Sequence, residues 1–145
     1  MTQTRQVANA QEAIDLLADP SLDSRTVAVL TTAEDLPPLV PVMSSSLVVE
    51  RGGYRIQAAS SGNSLLVLPI EYSHCLRAQL TGIEGAPPPR LLRANLVMAA
   101  ILFTGDVQGR LSLHYGPFSS GCRIEDWHAA DIIHLGDARK WPAAR

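Results

Sequence analysis

Aromatic residues are scarce in this chain, at 5%, and no block of one charge stands out. Twelve Lys and Arg face fourteen Asp and Glu, a formal net charge of −2. Without a Lys/Arg cluster to neutralise a row of phosphates, nucleic acid is excluded as the expected partner. A membrane span needs about 20 consecutive apolar residues, and the longest candidate, LVMAAILF at 96–103, falls short. The opening MTQTRQVANAQEAIDLL lacks the apolar core of a secretory signal, so the chain as written reads as soluble and untargeted, and cytoplasmic if Met1 is the native start. His74, His114, His128 and His134 offer neither His-x-x-x-His nor, with the cysteines, Cys-x-x-Cys spacing. The local chelate that marks a zinc site is missing, and no metal or cofactor is expected. Nor is there a glycine-rich phosphate loop, since RGG at 51–53 and SSGN at 60–63 read as hairpin turns with no helix following.

Pro and Gly, ten of each, fall mostly between apolar runs, as in a β-rich domain with many turns. At 145 residues one core is expected. Asn9 with Glu12, ahead of Ala13, Ile14, Leu16 and Leu17, predicts an N-capped amphipathic helix that stops at Asp19-Pro20. TVAVLT at 26–31 is a β-branched strand, and EDLPPLVP is a proline-rich connector unsuited to a central sheet position. The period then becomes two. LVVERGGYRIQAAS predicts a hairpin with Tyr54, Ile56 and Ala58 on one face and Arg55 and Gln57 on the other. SLLVLPI at 64–70, nearly all apolar, reads as a central strand buried on both faces. LRAQLTG, LLRANLV, AILF and VQGRLSLHY follow as short strands, the last with Val107, Leu111, Leu113 and Tyr115 pointing largely one way. A helix is expected from about Ile124 to His134, ended by Gly136.

Glu71, His74 and Cys75 are the residue types of a thiol enzyme, but neighbours on a strand point to opposite faces, so His74 is not placed to activate Cys75. Cys75 reads as a small buried residue, either bonded to Cys122 or a separate thiol. Trp127 and Trp141, with Tyr72 and Tyr115, are either an aromatic platform for a sugar or pins for the C-terminal segment. Glu71, Glu125, Asp126 and Asp131 supply carboxylates with no spacing rule to mark a catalytic pair.

The order of segments resembles a specific family. AQEAIDLLADPSLDSRTVAVLTTAEDLPP, a hairpin, SLLVLPIEYSHCLRAQLTG and RLLRANLVMAAILFTGDVQGRLSLHYGPF are similar in order and spacing to the extracytoplasmic C-terminal β-sandwich domain of YfhO-type bacterial membrane proteins, relatives of the GT-C lipid-linked sugar transferases. Ala13 to Asp19, Leu22-Asp23, Val27 to Leu30, Leu66 to Leu68, Tyr72, Arg77-Ala78, Gly82, Arg93-Ala94-Asn95 and Tyr115 with Pro117 fall where that pattern expects them, over residues 6–118. The family's Pro-Gly-Trp corner is His74-Cys75-Leu76 here, and a polar tail from Gly121 stands in place of its transmembrane helix. The resemblance implies an extracytoplasmic accessory module with no catalytic residues of its own.

The expectation is therefore a mainly β, α+β single domain: an antiparallel, jelly-roll-like β-sandwich over 45–118, an N-terminal helix and strand over 9–32, and a short helical C-terminal tail over 119–145. The expected function is a non-catalytic accessory or glycan-binding module, with a saccharide or a membrane protein as partner. Tyr72, Arg77, Arg93, Asn95 and Trp127 are the candidate ligand-binding residues, and Cys75 and Cys122 the candidate disulfide. The alternatives are a small glycan-acting enzyme using Glu125 and Asp126, or a structural dimerisation domain using a sheet face or the AILF strand.

Overall fold

The structure, a computed structural model, describes residues 1–31, 36–114 and 120–132. In chain order the elements are β1 (Gln3–Gln6), α1 (Ala10–Ala18), β2 (Val27–Leu30), β3 (Val42–Glu50), β4 (Gly53–Ser60), β5 (Asn63–Glu71), β6 (Leu76–Thr81), β7 (Arg90–Ala94), β8 (Met98–Thr104), β9 (Val107–Leu113) and α2 (Ser120–Ile132). They form a five-stranded sheet, β1-β2-β7-β8-β5, and a four-stranded sheet, β3-β4-β9-β6. The expected mainly β sandwich with an N-terminal helix and a helical tail is what the chain forms.

Helix α1 begins as its sequence dictates. The Asn9 side chain accepts the Glu12 N–H at 2.9 Å, and the Glu12 carboxylate reaches back to the Ala8 N–H at 2.9 Å. The first bond satisfies one of the free donors of the first turn, and the second ties the incoming chain at Ala8 to that turn. Ala10 and Ala13 are buried, and the helix ends at Asp19, before Pro20. It also connects β1 to β2, which run parallel from Gln3↔Val27 to Gln6↔Leu30 and so need a crossover between them. These two strands belong to the sandwich itself, through Leu30↔Ala94 of β7. β1 carries no apolar alternation because it lies at the outer edge of its sheet, mostly in solvent.

The main core lies between the sheets. Ile56, Ala58, Leu76, Val107 and Leu111 of the four-stranded sheet meet Leu68, Ala99, Ile101 and Phe103 of the five-stranded one. A second cluster, of Ala28, Leu30, Leu65, Ala94 and Ala100, is covered by Met1, Leu36 and Leu39. The proline-rich connector thus serves as a cover: it lays Leu36 and Leu39 over a sheet face that would otherwise show its apolar side chains to water.

Two expectations change. SLLVLPI is buried at Ser64, Leu65 and Leu68, but it belongs to an edge strand, β5, whose one strand neighbour among the described residues is β8. Its apolar character comes from layers above and below rather than from strands on both sides. An edge position accommodates Pro69, which has no N–H to donate, and the pairing is irregular between Val67 and Glu71. The C-terminal helix starts at Ser120 rather than Ile124, while its expected end at His134 and Gly136 lies outside the described residues.

In the four-stranded sheet, β9 pairs with β4 on one side and β6 on the other. Gly109 sits opposite Ile56 and Leu80, and a Cβ there would lie 2.1 Å from the Gln79 carbonyl oxygen. Only glycine lets β6 approach this closely. Gly109→Ala is expected to lower stability by about 1–3 kcal/mol, as overpacked sites do. Chemical denaturation checks this; an unchanged midpoint would contradict the close approach.

Candidate functional site

Of the five candidate binding residues, the structure brings two together. The Arg93 guanidinium lies over the Tyr72 ring, 4.8 Å from its centroid, and Tyr72 meets the His74 ring edge-on at 5.4 Å. These residues surround the corner where the chain leaves β5 and enters β6. Asn95 serves the backbone. Its side-chain oxygen accepts the Val29 N–H at 2.9 Å, while its own N–H donates to the Val29 carbonyl at 2.8 Å. It prolongs the single β2–β7 pair and occupies a left-handed conformation (φ 48°) that Asn tolerates. Arg77 lies on β6, on the solvent face of the four-stranded sheet, and Trp127 is 61% exposed on α2 beside His128. Trp141 and Tyr115 lie outside the described residues, as does His134.

The corner holds α2 to the sandwich. Cys75 and Cys122 form a disulfide, so Cys75 is a buried cross-link and no nucleophile. Beside it, Asp126 accepts from the Ser73 hydroxyl at 2.5 Å, from the His74 backbone N–H at 2.7 Å and from the His74 ring Nδ1 at 2.7 Å. Ser73 in turn accepts the Cys75 N–H at 3.0 Å. Ser, His and Asp are the residue types of a hydrolase triad, but a triad needs the Ser hydroxyl on the His ring. Here both donate to one carboxylate, an arrangement that anchors a helix. It also commits Asp126, leaving its helix neighbour Glu125 without this carboxylate as a free catalytic partner.

Burial, the largest single influence on Asp126, pushes its pKa up. The hydrogen bonds from the His74 N–H, the Ser73 hydroxyl and the His74 ring, with the attraction of the His74 charge, outweigh it and hold the pKa below the ordinary carboxylate value. A depressed carboxylate stabilises the fold above its unfolded pKa, about 3.9, and the contribution disappears as pH falls through the lowered folded value. Asp126→Asn should therefore be less stable than the parent at neutral pH, the difference shrinking below about pH 4. Denaturant midpoints across pH 2–7 for both proteins measure it; a pH-independent difference would contradict the carboxylate's role.

The disulfide spans a sequence separation of 47, which in the chain-entropy account contributes about 4 kcal/mol. The Cys75→Ser/Cys122→Ser protein is expected to lose a large part of that in chemical denaturation. A loss below about 1 kcal/mol would contradict the closed-loop account.

A second surface emerges from strand register. On the solvent face of the four-stranded sheet, Ser46, Gln57, Gln108 and Thr81 form one row across β3, β4, β9 and β6. Val48, Arg55, Arg110 and Gln79 form the next, followed by Glu50, Gly53, Ser112 and Arg77. Two adjoining depressions of about 460 and 470 Å³ lie on this face and share Gln57, Thr81 and Gln108. Glu50 forms an ion pair with Arg55 and lies 4.0 Å from Arg110, whose guanidinium also donates to the Arg51 carbonyl at 2.7 Å.

Apart from Arg77, sequence reasoning missed this surface. The signal was present as Arg55-Ile-Gln57, Arg77-Ala-Gln79 and the reversed Gln108-Gly-Arg110. Because β4 and β9 run antiparallel, the reversed order brings Gln57 beside Gln108 and Arg55 beside Arg110, while β6 sets Gln79 opposite Arg110.

Among the described residues no group of three His, Cys, Asp or Glu is placed to hold a metal ion, and no helix is long and apolar enough to cross a membrane. No protein-family model, curated protein or solved structure matches the chain.

Proposed function

We propose that this protein is a non-catalytic saccharide-binding module, with the solvent face of β3-β4-β9-β6 as its binding surface. The observation that carries this reading is the continuous row Ser46, Gln57, Gln108 and Thr81 at the meeting of the two depressions. A carboxamide donates through its NH2 and accepts through its oxygen, as Ser and Thr hydroxyls also do. Each sugar hydroxyl is likewise both donor and acceptor. A row of such groups matches a row of hydroxyls without a charge to desolvate, and its register is held by the sheet beneath it.

The wider setting is an accessory domain of a membrane glycan-assembly system, of the YfhO-like, jelly-roll-like kind that the order of segments resembles. The Cys75–Cys122 bond supports an extracytoplasmic location, because disulfides persist in oxidising compartments. In this reading the Tyr72 and Arg93 corner is a structural joint, and Arg77 is the member of the sequence-derived set that reaches the ligand.

A glycan array, followed by titration of the best oligosaccharide, tests the function. Gln57→Ala/Gln108→Ala should weaken binding about tenfold or more, given that each lost buried hydrogen bond costs about 1–3 kcal/mol. Tyr72→Ala should change affinity little if it folds. Failure of the intact protein to bind any saccharide would overturn the proposal.

A further inference from the structure

The glutamine row is neutral, but the row beside it is not. Arg55 and Arg110 sit directly opposite each other on β4 and β9, a like-charge pair that costs stability unless compensated. Glu50 is the carboxylate on hand, paired to Arg55 and near Arg110. One negative charge is thus shared by two guanidinium groups. Arg77, on the same face and diagonal to Arg110 through Ser112, adds a third positive charge. The Arg55 and Arg110 side chains are 63% and 47% exposed, so neither is consumed in a buried network. At the far side of the groove stands Asp106, on the opposite side of the glutamine row from the arginines. The surface therefore runs from basic through neutral to acidic.

Resting on the saccharide reading above, we infer that the ligand is an acidic oligosaccharide, its sugar hydroxyls on Gln57, Gln79 and Gln108 and an anionic oxygen group on Arg110 and Arg77. Guanidinium groups present paired N–H donors that match the two oxygens of a carboxylate or a phosphodiester. Neighbouring strands are about 4.8 Å apart, so the face spans about 14 Å across its four strands, room for a short oligomer. A peptide ligand fits less well. Peptides gain affinity from apolar anchors or from a free sheet edge, whereas the centre of this face, on β4 and β9, is paired on both sides and polar.

The test is calorimetric titration of the intact protein with short oligomers of galacturonate, glucuronate and mannuronate, each beside its carboxyl-reduced counterpart. A glycerol-phosphate polymer and a poly-glutamate peptide complete the panel. The inference predicts that at least one uronide binds about tenfold more tightly than its reduced form, and that Arg77→Gln/Arg110→Gln removes the difference while the reduced form still binds. Added salt should weaken the acidic ligand selectively. Binding of the phosphate polymer in place of the uronides keeps the anionic site and assigns phosphate as its source. Equal binding of acidic and reduced oligomers overturns the inference and leaves the saccharide reading intact. If no oligosaccharide binds, both fall, and poly-glutamate binding alone would reassign the surface to a protein partner.

Discussion

The burial of one face of the four-stranded sheet governs the rest of the molecule. Ile56, Ala58, Val107 and Leu111 can reach Ala99, Ile101 and Phe103 only in one register. Because side chains alternate along a strand, a slip of one residue would turn Gln57 and Arg110 inward and expose the core. The polar face is thus a consequence of the apolar one. Its rows are aligned because the residues beneath them must be, and Gly109 completes the alignment by letting β6 close against β9.

The second organising feature is the β5–β6 corner, where the chain passes from one sheet to the other. Covalent and ionic ties converge within a few residues: the Cys75–Cys122 bond, and the three hydrogen bonds accepted by Asp126. Together they fix α2 to a sandwich that has its own core. The residue types suggest catalysis, but the hydrogen-bond directions describe an anchor. The polar face, in contrast, has side chains with hydrogen-bonding capacity turned to solvent, which a recognition surface requires.

Local features were legible in the sequence because local chemistry makes them. The Asn9 cap, the stop at Pro20, the Gly52 turn (φ 81°) and the alternation of Ile56 and Ala58 against Arg55 and Gln57 all appear as expected. Features that depend on distant partners were not legible. β1 looks like polar tail because pairing with β2, not burial, makes it a strand. β5 looks central because apolar layers above and below imitate strands at its sides. Asp126 meets Ser73 and His74 across more than 50 residues, and nothing near it in the chain signals that meeting. Of the five candidate residues, Tyr72 and Arg93 do meet, but at the joint; Arg77 lies on the polar face, Asn95 serves the backbone, and Trp127 stands apart on α2. The glutamine rows needed the register of three strands, which composition does not carry.

We propose that recognition belongs to the solvent face of β3-β4-β9-β6 and anchoring to the corner. Side-chain amide resonances of glutamine report on this directly in a nitrogen-labelled NMR titration with the oligosaccharide selected by array. The NH2 signals of Gln57, Gln79 and Gln108 are expected to move together while the signals of Tyr72, His74 and Arg93 stay in place. Shifts gathered at Tyr72, His74 and Arg93, with the three glutamines unmoved, would contradict it.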